Sequence, residues 1–257
     1  HPFDDARIIA GQGTVGLEIM EDLADFDAVV IPVGGGGLSA GVATAIKSRR
    51  PAVSSYGVEA AMYASLAAEL RGEEPKVGGA TIAEGIAVKK VGRLTLEILR
   101  KLMEQVIVVN EDTLERAVTL FATVEKTVAE GAGAASLAAL LEEPHLFRNR
   151  KVVLVLTGGN IDTRLLASVL TRSLVREKRI TSVRIIGNDQ PGLLARMALT
   201  SVATEFIACA GLRSFLRTPR IPACLHPRHV FNGNAVHRTN RNTQIAPGAI
   251  AFDDGVH

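Results

Sequence analysis

Between Ala28 and Asn160 short, nearly uncharged runs rich in β-branched residues alternate with longer segments of helical periodicity, and this alternation restricts the fold more than any other feature. Ala28–Val33, Ser54–Glu59, Val106–Val109 and Val152–Leu156 read as buried strands. Gly37–Arg49, Ala60–Leu70, Arg93–Glu104 and Asp112–Ala129 read as helices, the last with Asn110, Glu111 and Asp112 as capping and acidic first-turn residues. Strands separated by helices of this length predict an α/β domain, its parallel sheet covered on both faces. The 257 residues, 47% hydrophobic with a net charge of +2, suit one large core plus a small module. No apolar run approaches the roughly 18 residues that cross a bilayer, so no membrane partner is expected. Cys209 and Cys224 fit neither a zinc spacing nor a disulfide framework, and no secretory signal is present; the expected compartment is the cytoplasm.

Downstream, Ile161–Glu177 predicts a helix and Ile180–Gly187 a strand. A turn cluster follows at Asn188-Asp189-Gln190-Pro191-Gly192, and Leu193–Val202 predicts a helix. From Gly211 to His257 there is no Lys, but six Arg, four His, four Pro and only two acids, without strand or helix periodicity. A basic arm touching phosphates is one reading, an irregular or out-of-frame tail the other. Aromatic residues there are confined to Phe215, Phe231 and Phe252, so no nucleic-acid partner is expected.

The strongest chemical signal is Gly34-Gly35-Gly36-Gly37-Leu38, which follows a predicted strand and opens a predicted helix. Four glycines leave the backbone N–H groups free to close around a phosphate, and the helix N-terminus adds its positive end. A merely flexible turn would give up backbone entropy for no packing gain. No lysine and hydroxyl residue follow as in a Walker loop, and Ala40 stands where a dinucleotide fingerprint has its third glycine. Glu59, about twenty residues on at a strand end, keeps a ribose-binding acid open. The second signal is Thr157-Gly158-Gly159-Asn160 after the most apolar strand. Thr157 either presents a hydroxyl to a ring nitrogen at the sheet's carboxyl edge or, like Asn160, caps the next helix. Glu84 beside Gly85 and Glu130 beside Gly131 either hold a cation or ligand or cap a helix.

Taken together, these segments resemble the threonine dehydratase and serine racemase group of fold-type II pyridoxal-phosphate enzymes. The resemblance runs through His1-Pro2-Phe3-Asp4-Asp5, Gly11-Gln12-Gly13-Thr14, the tetraglycine loop, Gly57-Val58-Glu59, Ala83-Glu84-Gly85-Ile86-Ala87, Glu130-Gly131 with Gly133-Ala134, and Gly158-Gly159-Asn160. It covers residues 1–178, expected to be the carboxyl-side part of the catalytic domain. The stretch from Val183 to Ala198 is similar to the opening of an ACT regulatory module, expected over 179–202, with an irregular tail at 203–257. The resemblance implies pyridoxal 5′-phosphate as cofactor, its phosphate on Gly34, Gly35, Gly36, Gly37 and Leu38. It also implies Thr157 at the pyridine nitrogen, Glu130 and Gly85 beside the ring, and Glu84 near substrate or a monovalent or divalent cation. The activity implied for a parent enzyme, expected to be a homo-oligomer, is deamination of L-threonine, and of L-serine, to a 2-oxo acid and ammonia by β-elimination.

The chain contains neither the Ser-Phe-Lys segment with the family's Schiff-base lysine nor the Ser-x-Gly-Asn-His substrate loop. None of its eight lysines has a sequence setting that would lower an amine pKa, Lys89-Lys90 being a solvated pair, so no catalytic lysine is assigned. With no Met before His1, the expectation is an N-terminally truncated chain, inactive alone. Within the same group a serine racemase or serine dehydratase activity is the nearest alternative, and two other classes remain open at this point: a non-catalytic module that senses a phosphorylated cofactor or nucleotide, and a basic-tailed interaction protein.

Overall fold

The computed structural model describes residues 1–184 and three short segments at 237–239, 242–244 and 250–253. The chain divides into two units, His1–Leu170 and Thr171–His257. In the first, helix α1 (Ala6–Asp22) precedes strand β1 (Ala28–Pro32) and helix α2 (Gly37–Arg49). Strand β2 (Ser54–Ala60), the short helix α3 (Ser65–Arg71), helix α4 (Arg93–Leu102) and strand β3 (Gln105–Val109) follow. Helix α5 (Glu111–Leu120), helix α6 (Gly131–Glu142) and strand β4 (Val152–Leu154) follow, and helix α7 (Thr163–Arg176) begins in this unit.

The four strands form one sheet in the order β3-β2-β1-β4, with every pair parallel. β1 is buried along its whole length, and its side chains alternate between two apolar layers. Ala28 and Val30 pack with Val58, Ile107, Leu114 of α5 and Ala135 of α6. Val29 and Ile31 pack on the opposite face with Val42 and Ile46 of α2 and Met20 of α1. A strand clothed on both faces must be apolar throughout, which is why its sequence lacks polar alternation.

Chain order runs outward from β1 through β2 to β3, then returns to the other side of β1 for β4. β1 and β4 therefore flank the point where the winding reverses, where open parallel sheets form a crevice at their carboxyl ends. Ser136 of α6, fully buried, places its hydroxyl 3.0 Å from Val30 O and 2.9 Å from Val155 O, bridging both strands at that point.

Two helices escape the periodicity reading. α1 carries Gly11, Gly13 and Gly16, residues of low helix propensity, and α6 (GAGAASLAALLE) is small and apolar on all sides, without a distinct apolar stripe. Glycine has a packing role in α1. A Cβ on Gly41 of α2 would stand 2.3 Å from Ile9 O and 2.6 Å from Gly13 N, and one on Gly16 would stand 2.9 Å from Val42 O. The two helices meet backbone to backbone. The helix expected over Asp112–Ala129 stops earlier: α5 passes into a π-turn at Phe121–Glu125, which Lys126 closes in the left-handed region at φ 57°. Asn110 caps α5 as expected, accepting from Thr113 N at 2.9 Å.

In the second unit, β5 (Thr181–Arg184) lies within the strand expected at Ile180–Gly187. Three strands lie inside the segment read as irregular: β6 (His237–Thr239), β7 (Asn242–Gln244) and β8 (Ile250–Asp253). β5 pairs parallel with β8, while β7 pairs antiparallel with β8 and β6. The turn at Asn188–Gly192 and the helix expected over Leu193–Val202 fall outside the described residues. Among the described residues no helix is long and apolar enough to cross a membrane.

Candidate functional site at the winding reversal

The tetraglycine loop leaves the end of β1 and enters α2 at the crevice. Gly36 caps α2 with φ +90°, a left-handed conformation that glycine adopts without the steric cost a side chain brings. No N–H group from Gly34 to Ser39 donates a hydrogen bond among the described residues; the first amide of this segment to do so is Ala40 N, to Gly36 O at 2.8 Å. Gly35, Gly36 and Gly37 are nevertheless buried, with Gly34 and Leu38 half-buried. Buried amides without acceptors are costly, and at a helix N-terminus they lie in a positive field. A ligand presenting several acceptor oxygens removes that cost, and a phosphate group fits it.

The other expected site residues gather around this loop. A Cβ on Gly34 would lie 3.1 Å from Ile86 Cα and 3.5 Å from Gly85 O. A Cβ on Gly85 would lie 3.4 Å from Glu130 Oε1, and one on Gly158 only 2.7 Å from the same oxygen. Glu130 N donates to Gly158 O at 3.1 Å. Thus the loop after β1, the turn at Gly85, the start of α6 and the segment after β4 meet at one edge of the sheet. Glu130 stands at the N-cap of α6 without making a side-chain cap, so capping does not explain its carboxylate. Thr157 is exposed and makes no hydrogen bond among the described residues. The next helix is capped instead by Asp162, which accepts from Arg164 N at 2.9 Å and Leu165 N at 3.0 Å. The capping alternative for Thr157 and Asn160 is thereby removed.

Glu84 is exposed at the start of a 3-10 turn. Among the described residues no group of three or more His, Cys, Asp or Glu side chains forms a metal-binding set, so nothing here supports the expected cation at Glu84. Seven of the eight lysines are exposed, and Lys47 is half-buried with its Nζ 3.3 Å from Pro51 O.

Glu59 is not available to a ribose. It is fully buried, accepts from Leu66 N at 2.7 Å and Ala67 N at 2.8 Å, and lies 3.4 Å from Ser65 Oγ, closing the N-terminus of α3. This overturns the dinucleotide reading. Burial pushes its carboxyl up to about 7 from 4.5, against the opposing pull of the two amides. The folded chain then holds this proton more tightly than the unfolded chain does. The resulting stabilisation is full below pH 4.5 and is lost as pH rises to about 7, a change of about 3 kcal/mol. Urea midpoints of Glu59→Gln and the parent chain should diverge across that interval, the parent falling and the variant staying level. Midpoints that fall in parallel would remove Glu59 as the cause.

Three further residues support the loop, directly or through α4. A Cβ on Gly35 would lie 2.2 Å from the Phe3 ring; Thr95 Oγ1 donates to Gly35 O at 2.8 Å; and Asp4 caps α4 from 89 residues away. No spacing rule brings together residues so distant in sequence.

A family model described as pyridoxal-phosphate dependent enzyme matches residues 1–158. The chain belongs to this family. Among curated proteins, the chain is 44% identical over 199 residues to the L-threonine ammonia-lyase of Thermotoga maritima, covering 77% of the chain and 49% of that protein. It is 43% identical over 200 residues to the L-threonine ammonia-lyase of Geobacter sulfurreducens, covering 77% and 50%. The chain thus spans about half the length of the curated relatives it matches. Among solved structures it is similar to the T.th. threonine deaminase, with TM-score 0.59, 39% identity, and coverage of 63% of this chain and 61% of that one. It is also similar to the serine racemase of Dictyostelium discoideum, with TM-score 0.58, 37% identity, and coverage of 63% and 53%. The fold is the parallel-sheet α/β class of the fold-type II pyridoxal-phosphate enzymes, as the sequence predicts.

Proposed function

We propose that the chain supplies the phosphate and ring contacts of a pyridoxal-phosphate L-threonine ammonia-lyase. The observation that carries this reading is the run of N–H groups from Gly34 to Leu38 at the winding reversal, buried at Gly35–Gly37 and without acceptors among the described residues. These amides hold the cofactor phosphate, and the N-terminus of α2 adds its field to their hydrogen bonds. The Thr157 hydroxyl, on the neighbouring strand end, donates to the pyridine nitrogen. A neutral hydroxyl keeps its own proton at physiological pH, so the ring nitrogen stays uncharged. Glu130 stands beside the ring, and the absence of a side chain at Gly85 leaves room there. When bound, the cofactor supplies an electron-accepting ring that permits loss of the amino acid's α-proton and β-hydroxyl.

No lysine of this chain sits in a buried or cationic setting at that edge, so the chain alone moves no α-proton and is inactive. L-threonine is favoured by the two ammonia-lyase relatives; similarity to a serine racemase keeps L-serine as the second substrate. Titration of the 257-residue chain with pyridoxal 5′-phosphate and with pyridoxal should show a clear preference for the phosphorylated form. Equal binding would sink the reading. Incubation with cofactor and L-threonine should release no ammonia above the protein-free control; turnover would overturn the assignment of inactivity.

A further inference from the structure

We propose that Thr95, seated by Asp4, is the positioning residue that aims the glycine loop at its ligand. The proposal rests on the reading above, that this loop holds a phosphate. Thr95 lies in the first turn of α4 and is fully buried. Its Oγ1 is 2.8 Å from Gly35 O and 3.0 Å from Gly92 O, and Gly92 N adds a second, longer approach to Gly35 O at 3.3 Å. The start of α4 therefore grips the Gly35 carbonyl.

The consequence follows from peptide geometry. Gly35 C=O and Gly36 N–H belong to one planar trans unit and point in opposite directions. Fixing the carbonyl toward α4 turns the Gly36 N–H away from α4 and holds it there. Left free, a glycine peptide rotates easily, and the loop would reach the ligand with its donors disordered. Residues 36 and 95 are also fitted to each other. A Cβ on Gly36 would stand 2.8 Å from Thr95 Cβ and 2.9 Å from its Oγ1, so the glycine admits the threonine.

Asp4 fixes the other side of Thr95. Its carboxylate accepts from Arg93 N at 3.0 Å, Leu94 N at 2.8 Å and Thr95 N at 3.3 Å. A Cβ on Gly92 would overlap that carboxylate at 2.5 Å. Asp4 thus holds the first turn of α4 in place and occupies its free amides. Phe3, the residue before it, lies directly against Gly35 and Gly37.

The test uses the full 257-residue chain and two probes, pyridoxal 5′-phosphate and pyridoxal, which differ only in the phosphate. Thr95→Val keeps the shape and removes the hydroxyl. It should weaken pyridoxal 5′-phosphate by roughly tenfold and leave pyridoxal unchanged, so the preference between them collapses. Thr95→Ser, which keeps the hydroxyl, should restore the preference. A merely structural role would weaken both probes alike. If Thr95→Val fails to fold by circular dichroism, Asp4→Asn carries the test, because it loosens α4 without touching the core. It should reduce the preference by roughly threefold. A folded Thr95→Val, or failing that Asp4→Asn, with the preference intact overturns the proposal. A parent chain that binds both probes equally overturns the phosphate reading, and this inference with it.

Discussion

Gly36→Ala should cost the chain roughly a hundredfold in affinity for pyridoxal 5′-phosphate. Two costs combine. Alanine at φ +90° is strained by about 1–3 kcal/mol, and its Cβ meets Thr95 Cβ at 2.8 Å and Leu99 Cδ1 at 3.0 Å. The loop can relieve both by rotating toward ordinary backbone angles, which turns the donors from Gly36 onward out of register. The strain therefore appears mainly as lost binding. Isothermal titration of the variant checks this. Affinity within threefold of the parent would mean that the Gly36 and Gly37 amides do not hold the phosphate.

The second large effect concerns stability. Gly41→Ala places a methyl group 2.3 Å from Ile9 O and 2.6 Å from Gly13 N, both backbone atoms, so relief requires moving α1 away from α2. Overpacking of this kind costs about 3 kcal/mol, or roughly 10 °C in thermal midpoint for a domain of this size. Gly11→Ala, in the partner helix α1, is the control. A Cβ there meets nothing within 4 Å, and alanine should stabilise the helix by about 0.5–1 kcal/mol. Opposite signs from one methyl group at two glycines of the same helix pair would establish that contact as the cause. Equal shifts would not.

The strands and the loop were legible because their signals are local. Burial on both faces makes β1 uniformly apolar, and helix α2 begins and ends where the periodicity predicts, at Gly37 and Arg49. What escaped depends on partners far along the chain. The packing role of Gly13 and Gly16 shows only when Gly41 and Val42 are seen against them. Helix α6, buried along most of its length, has no polar face to mark its period. Glu59 sits at the spacing of a ribose-binding acid, but the direction of its side chain is set by α3, and spacing carries no such information. At the candidate site, the glycine loop, Glu130 and Thr157 are expected from type and order, and the structure brings their segments to one sheet edge. Asp4 stands in the His1–Asp5 motif, but its contact with α4 could not be read, nor could Thr95, because a helix cap and a carbonyl contact use residue types found on any surface.

The seam between α1 and α2 also bears on how such sequences can diverge. Where a new side chain collides with another side chain, a second substitution can make room. At Gly41 the obstacle is the carbonyl of Ile9 and the amide of Gly13, and at Gly16 it is the carbonyl of Val42; every amino acid carries a backbone carbonyl, and all but proline an amide N–H. No partner change can trim them. Descendants of this sequence can therefore exchange the outward residues of α1 almost at will, yet must keep Gly16 and Gly41 or re-dock the helix that leads into the glycine loop.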